Sequence, residues 1–298
     1  MRAEYREEPC KSALNRVTGM GFEWSLNPYM GCAHRCTFCY VRAFERRADR
    51  PADERYGQSI RVKINVAEVL DRELGRRGWT RSSVAIGAAT DPYQPAEGRY
   101  RLTRRCLEVL CAHRNPFALI TRGTLVVRDI DVLAEASRRA NVTVNLSVPT
   151  LDERVWRATE PGTPPPRQRI RAVATLVRAG IRAGIAIAPI LPGLSDHPEQ
   201  LAAVVRAARE AGATHVWAIP LHLRPGTREH FLAALAREWP ELSSEYERIY
   251  ASSAYLSRTA SAPVLDQVRA LRDRFGIADR RDLRLVPPPE PAQMVLAM

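Results

Sequence analysis

The sequence predicts an α/β fold: a partial (β/α)6 barrel of the TIM type, with an N-terminal arm and a C-terminal helical extension. Three observations predict it. Short β-branched or apolar runs recur along the chain, each followed by a stretch of helical periodicity. Such alternation builds a parallel sheet, whose right-handed crossovers curl the strands into a barrel or most of one. Finally, 298 residues with 45% hydrophobic content supply a large core.

The first strand is expected at 24–29. The second, 84–88, leads to a helix at 103–114, and the third, 117–121, to one at 128–139. The fourth, 142–148, leads to 167–179, the fifth, 185–190, to 198–211, and the sixth, 215–220, to a helix beginning near Thr227. The arm occupies 1–23, the barrel 24–228, the extension 229–278 and a proline-rich tail 279–298, which reads as extended from Val286. In the extension Phe231, Leu232, Leu235 and Trp239 are spaced for one apolar face. Tyr246, Tyr250 and Tyr255 read either as a stacking platform for bases or, for the first two at i, i+4, as one packed face. Active-site groups of such a barrel belong to the C-terminal strand ends. Those are the loops 31–40, 89–99, 122–124, 149–166, 192–197 and 221–226.

No run approaches the roughly 18 apolar residues of a membrane span, and Met1 to Glu8 is too charged for a signal peptide. A cytoplasmic, reducing compartment is therefore expected. In it, six cysteines are ligands, reactive thiols or core residues rather than disulfides. The 45 Lys and Arg outweigh 33 Asp and Glu by 12 charges, yet only Lys11 and Lys63 are lysines. The excess fits a polyanionic partner such as nucleic acid. It fits a compositional preference for arginine equally, because no dense basic run appears.

The loop after the first strand carries the chemistry. Cys32, Cys36 and Cys39 are spaced C-x3-C-x2-C, so one loop can wrap three thiols around a single inorganic centre. Thiolates are the usual ligands of iron–sulfur clusters, and three leave one iron of a four-iron cluster open, as catalysis requires. A structural zinc site adding His34 competes less well, since His34 lies inside the loop and no second Cys/His pair follows. Three unrelated core cysteines are a weak reading at this density. Cys106 and Cys111, five apart on one helix, fall on different faces and read as buried core. Cys10 lies in the irregular arm. His34, His215 and His222 have no second ligand nearby in the sequence, so no second metal is expected.

The cysteine loop resembles that of the radical S-adenosylmethionine enzymes, which place an aromatic, here Phe38, before the third cysteine. The likeness narrows to the spore photoproduct lyase-like branch through Asn27-Pro28-Tyr29, Thr90-Asp91-Pro92-Tyr93-Gln94-Pro95, Arg128-Asp129, Glu160-Pro161, Pro164, Arg169 and the run from Ala188 to Asp196. It covers about Lys11 to Tyr255. The resemblance implies that Cys32, Cys36 and Cys39 each hold one iron of a 4Fe–4S cluster and that S-adenosylmethionine chelates the fourth. Its reductive cleavage would give a 5′-deoxyadenosyl radical that abstracts hydrogen from an unidentified substrate, with DNA repair or modification in view.

The expected electron donor is a reductase or a flavodoxin- or ferredoxin-type protein. The same resemblance places the methionine end of the cofactor at Thr90 and Asp91, the ribose at Ser147 and the adenine along Ala188 to Leu191. Tyr93, Gln94, Arg122 and Glu160 are candidate contacts. Each has a plainer reading: Asp91-Pro92 as a turn start, Ser147 as an interior hydroxyl, Tyr93 and Gln94 as loop packing, Glu160 as an exposed turn residue. The competing class is a non-catalytic iron–sulfur or zinc protein that binds nucleic acid or acts as a sensor.

Three departures limit the transfer. Photoproduct lyases proper carry an additional cysteine near the end of the second strand, where this chain has Gly87-Ala88-Ala89-Thr90. Arg122 stands where relatives often show Lys, which changes a point charge into a planar fork. Gly162 stands where relatives often show Arg.

Overall fold

The computed structural model describes residues 3–277. Strands β1 (Glu4–Glu8) and β2 (Leu14–Arg16) lie in the arm. Strand β3 (Trp24–Leu26) opens the barrel and β4 (Tyr29–Met30) follows it directly. After helix α1 (Arg42–Arg47), strand β5 (Ser59–Lys63) and helix α2 (Val66–Leu74), the remaining strands are β6 (Val84–Ile86), β7 (Phe117–Thr121), β8 (Val142–Ser147), β9 (Ala183–Ile190) and β10 (Val216–Pro220). Helices α3 (Pro95–Tyr100), α4 (Leu102–Ala112), α5 (Ile130–Arg139), α6 (Glu153–Thr159), α7 (Pro166–Arg178) and α8 (Pro198–Glu210) connect them. The extension holds α9 (Thr227–Glu238), α10 (Ser243–Ile249) and α11 (Arg258–Arg274). The proline-rich tail lies outside the described residues.

The main sheet runs β10-β9-β8-β7-β6-β3-β2. From β3 to β10 every neighbour is parallel, and β2 joins antiparallel at the edge. These six parallel strands fall where the periodicity predicts, except that the first ends at Leu26 and Tyr29–Met30 joins a different sheet, and they form a partial barrel. Register stacks apolar residues in rows: Leu26 pairs with Ile86, Ile86 with Leu119, and Leu119 with Val144. The helices bury matching stripes. On α8, Leu201, Val204, Val205 and Ala208 recur at helical spacing, with Pro198 at the first turn. Asp152 caps α6 by accepting the Val155 N–H at 3.0 Å.

Three departures from the sequence expectation have physical reasons. The arm is not irregular: β1 pairs parallel with β5 and β5 antiparallel with β4, forming a separate three-stranded sheet. Its residues, Glu-Tyr-Arg-Glu-Glu, show no apolar alternation, and their partner lies more than fifty residues away. The second departure is a 3-10 turn at Thr124–Asp129 where a helix from 128 is expected. There Arg128 donates to Glu97 at 2.8 Å and to Asp129 at 2.7 Å, which holds the turn against α3. The third is α6, inside a loop whose prolines mask it.

Two cores result. The larger lies between the sheet and its helices and includes Cys106 and Cys111. The smaller joins Phe231, Leu235, Trp239, Tyr246 and Tyr250 of the extension to Cys36, Phe38 and Leu191. The Tyr246 hydroxyl donates to the Pro192 carbonyl at 2.7 Å and that of Tyr250 to Leu221 at 2.8 Å. Both rings are therefore packed, and the extension braces the loops after β9 and β10.

Candidate active site

The cysteine loop leaves β4 and crosses the C-terminal mouth of the barrel. Its backbone is clasped from several directions. Gln94, completely buried, accepts the Ala33 N–H through Oε1 at 3.0 Å and donates to the Gly31 carbonyl through Nε2 at 3.0 Å. Thr90 donates to the same carbonyl at 2.7 Å. The Thr37 N–H donates to Thr159 at 2.8 Å, that of Gly162 to His34 at 3.0 Å, and the Thr227 hydroxyl to the Cys39 carbonyl at 2.9 Å. Two glycines allow this contact. A Cβ on Gly162 would lie 2.5 Å from the Ala33 oxygen, and one on Gly57, whose φ is +78°, only 2.3 Å from the Cys32 oxygen. The missing Arg at 162 is thus a requirement of this backbone.

All three thiols line one cavity of about 290 Å3. Cys32 and Cys36 are buried and Cys39 half-buried. Burial, then Asp91, raises the Cys32 thiol. Burial pushes Cys36 up to about 12, against the opposing pull of Arg122. The donor set fits a four-iron cluster: three soft thiols from one loop, and no other cysteine on the cavity wall among the described residues. His34 lines the same cavity but faces Asp91. Its Nδ1 is 3.2 Å from Asp91 Oδ2, within ion-pair distance though not aligned for a hydrogen bond. No three His, Cys, Asp or Glu among the described residues are close enough to hold a single ion.

Phe38, Thr90, Asp91, Arg122, Ser147 and Ala188 line the same cavity. Asp91 is both turn and wall. It accepts from the Tyr93 N–H at 2.9 Å, the Thr121 hydroxyl at 2.5 Å and the Arg122 N–H at 2.7 Å. Burial would raise its carboxyl, but His34, Thr121 and the Arg122 N–H outweigh it and hold the group down to about 2. Arg122 donates to Glu160 Oε1 at 2.7 Å and to the Ala188 carbonyl at 2.8 Å, over the Phe38 ring at 5.4 Å. Burial lowers its guanidinium, while Cys36 and Glu160 raise it more.

Four candidates stand behind the wall. Glu160 is fully buried, not an exposed turn residue, and also accepts from Arg169 at 3.0 Å. Tyr93 is buried with its hydroxyl donating to Asp129 at 2.9 Å, and Gln94 clasps the loop as described. Leu191 packs in the smaller core. These residues support the wall rather than line it.

Several residues at the site carry no motif in the sequence. Tyr56, from the segment before β5, brings its hydroxyl 3.5 Å from Cys39 Sγ. Arg42 of α1 lies over the Tyr56 ring at 4.6 Å. At the mouth, His222 stacks on Tyr255 at 5.3 Å and meets Tyr40 at 5.7 Å, with Arg224 donating to the Tyr255 hydroxyl at 3.1 Å. Only Tyr255 of the three extension tyrosines reaches this exposed position. Met20 and Phe22 of the arm complete the rim. No sequence pattern relates these groups; the fold brings them together from the arm, the barrel and the extension.

The chain matches the Radical SAM superfamily over residues 26–205. An uncharacterized protein of Mycobacterium tuberculosis is 37% identical over 294 residues, spanning 98% of this chain and 86% of its own. A radical SAM Nα-GlyT isomerase of Pseudomonas phage M6 is 30% identical over 184 residues, which are 59% of this chain and 36% of that one. Among solved structures, a mutant spore photoproduct lyase with bound AdoMet and dinucleoside spore photoproduct shares the fold. Its TM-score is 0.68 at 15% identity, covering 91% of this chain and 79% of that one.

Proposed function

The chain belongs to the radical SAM superfamily, and on that premise we propose that it is an enzyme in which Cys32, Cys36 and Cys39 hold a 4Fe–4S cluster. Bound there, the cluster and S-adenosylmethionine would together supply one-electron chemistry that yields methionine and a 5′-deoxyadenosyl radical able to take a hydrogen atom from the substrate. The convergence of three thiols with Thr90, Ser147 and Ala188 on one cavity carries this reading. Thr90 and Gln94 fix the loop that presents the thiols. Asp91 has its oxygens engaged by Thr121 and two backbone N–H groups, so it orients the wall at the methionine end of the cofactor. Arg122, held by Glu160, sets a fixed positive charge beside Cys36. Ser147 offers a hydroxyl for the ribose.

The substrate we propose is a nucleic acid, and the electron donor a flavodoxin or ferredoxin. The stack of Tyr40, His222 and Tyr255 beside Arg224 offers a face for a flat ring, and the excess of 12 positive charges suits a polyanion. The bound dinucleoside of the lyase that shares the fold supports the same class. The reaction differs from photoproduct repair through a cysteine hydrogen donor, because Gly87, Ala88 and Thr90 line the cavity at that strand end.

Anaerobic reconstitution followed by assay for 5′-deoxyadenosine tests the chemistry. Reductant-dependent release that disappears in Cys36→Ala supports it, and a zinc-loaded protein without cleavage overturns it. Titration of DNA binding against salt tests the substrate. Each neutralised phosphate contributes about −0.9 to the log–log slope, and a slope near zero removes nucleic acid.

A further inference from the structure

Taking the three thiols as cluster ligands, we infer that Tyr56 and Arg42 set the reduction potential of the cluster through Cys39. Neither residue lies in the cysteine motif, and neither is needed to supply a ligand.

The geometry gives each a role. The Tyr56 hydroxyl sits 3.5 Å from Cys39 Sγ. A ligating thiolate has no proton to give, so the hydroxyl must donate. Tyr56 is 3% exposed, so water does not compete for that bond. Arg42 is 1% exposed. Its Nη1 donates to the Ala52 carbonyl at 2.7 Å and that of Asp53 at 2.6 Å, while its Nε has no partner. Its side chain forms no ion pair among the described residues. A purely structural guanidinium at such depth calls for a carboxylate, because an uncompensated buried cation is costly. Here its guanidinium carbon lies over the ring that bonds Cys39, 4.6 Å from the centroid, and its backbone N–H donates to the Cys39 carbonyl at 3.2 Å.

Reduction adds one electron, drawn from an external one-electron donor, and no bond is made or broken. The reduced cluster and its thiolates carry one more negative charge than the oxidised form. Hydrogen bonds to ligating sulfur and nearby positive charge stabilise that extra charge, which raises the potential. Removing either group should therefore make reduction harder.

The test is a redox titration of the anaerobically reconstituted protein, followed by electron paramagnetic resonance, with and without S-adenosylmethionine. Iron and sulfide contents are matched among wild type, Tyr56→Phe, Arg42→Met and Arg42→Lys. Tyr56→Phe keeps the ring under Arg42 and removes one oxygen. It should lower the reduction equilibrium constant on the order of tenfold, about 59 mV for one electron. Arg42→Met should move the midpoint in the same negative direction, and Arg42→Lys should restore most of the shift. A fully loaded Tyr56→Phe protein with the wild-type midpoint overturns the inference, whatever Arg42→Met does. A wild-type protein that takes up no four-iron cluster overturns both this and the functional reading, whereas an unchanged midpoint in loaded Tyr56→Phe leaves the functional reading standing.

Discussion

At Gly162 a single missing carbon allows two loops to touch. A methyl there would press on the Ala33 oxygen at 2.5 Å and on the His34 Cα at 2.8 Å, both backbone atoms that cannot rotate away. Gly162→Ala is therefore expected to destabilise the fold by about 1–3 kcal/mol, the usual cost of overpacking. It should also reduce iron uptake, as read by urea unfolding and metal analysis. Asp91 illustrates a charge held by its neighbours. Its carboxyl lies near 2 rather than its ordinary 3.8. A depressed acid contributes stability above its unfolded value, and the contribution is lost as pH falls through the folded one. At 1.36 kcal/mol per pH unit this contribution is about 2 kcal/mol. Asp91→Asn should lose that amount at neutral pH. The gap between the two metal-free proteins should then close from about pH 4 to pH 2 in denaturant titrations.

Between elements, Glu160 joins three of them. It ends α6, accepts from Arg122 after β7 and from Arg169 at the start of α7, and is fully buried. Glu160→Gln leaves two guanidinium groups sharing a neutral amide. A loss of roughly 3–5 kcal/mol is expected, the cost of breaking a buried ion pair, with the Cys36 side of the cavity loosened. Thermal unfolding checks the first and cofactor affinity the second. The barrel elements were legible because each strand and helix carries its own period: Val142, Val144 and Leu146 alternate, and Leu201, Val204, Val205 and Ala208 recur by turns. Strand β1 was illegible because its pairing with β5 is distant and its residues are charged. The three thiols were legible from spacing within eight residues. Tyr56, Arg42 and the His222–Tyr255 stack were not, since each matters only through a neighbour brought close by the fold.

Across the whole molecule, the thiols differ in access although they share one loop. Cys32 and Cys36 are buried and their thiols raised, while Cys39 is half-buried. Alkylation requires an accessible thiolate. In metal-free protein Cys39 should be labelled first, with Cys32 and Cys36 labelled at least tenfold more slowly, an order that peptide mass mapping can read. Among the described residues no helix is long and apolar enough to cross a membrane. The clasp that holds the loop has one further consequence, for the time before the fold is complete. The Thr227 hydroxyl closes on Cys39 across 188 residues of chain. At about 5–20 residues per second of synthesis, the thiols emerge roughly 10–40 s before Thr227 does. During that interval the nascent loop is open to oxidants and stray metal ions, so the newborn chain is the stage at which this centre is most vulnerable.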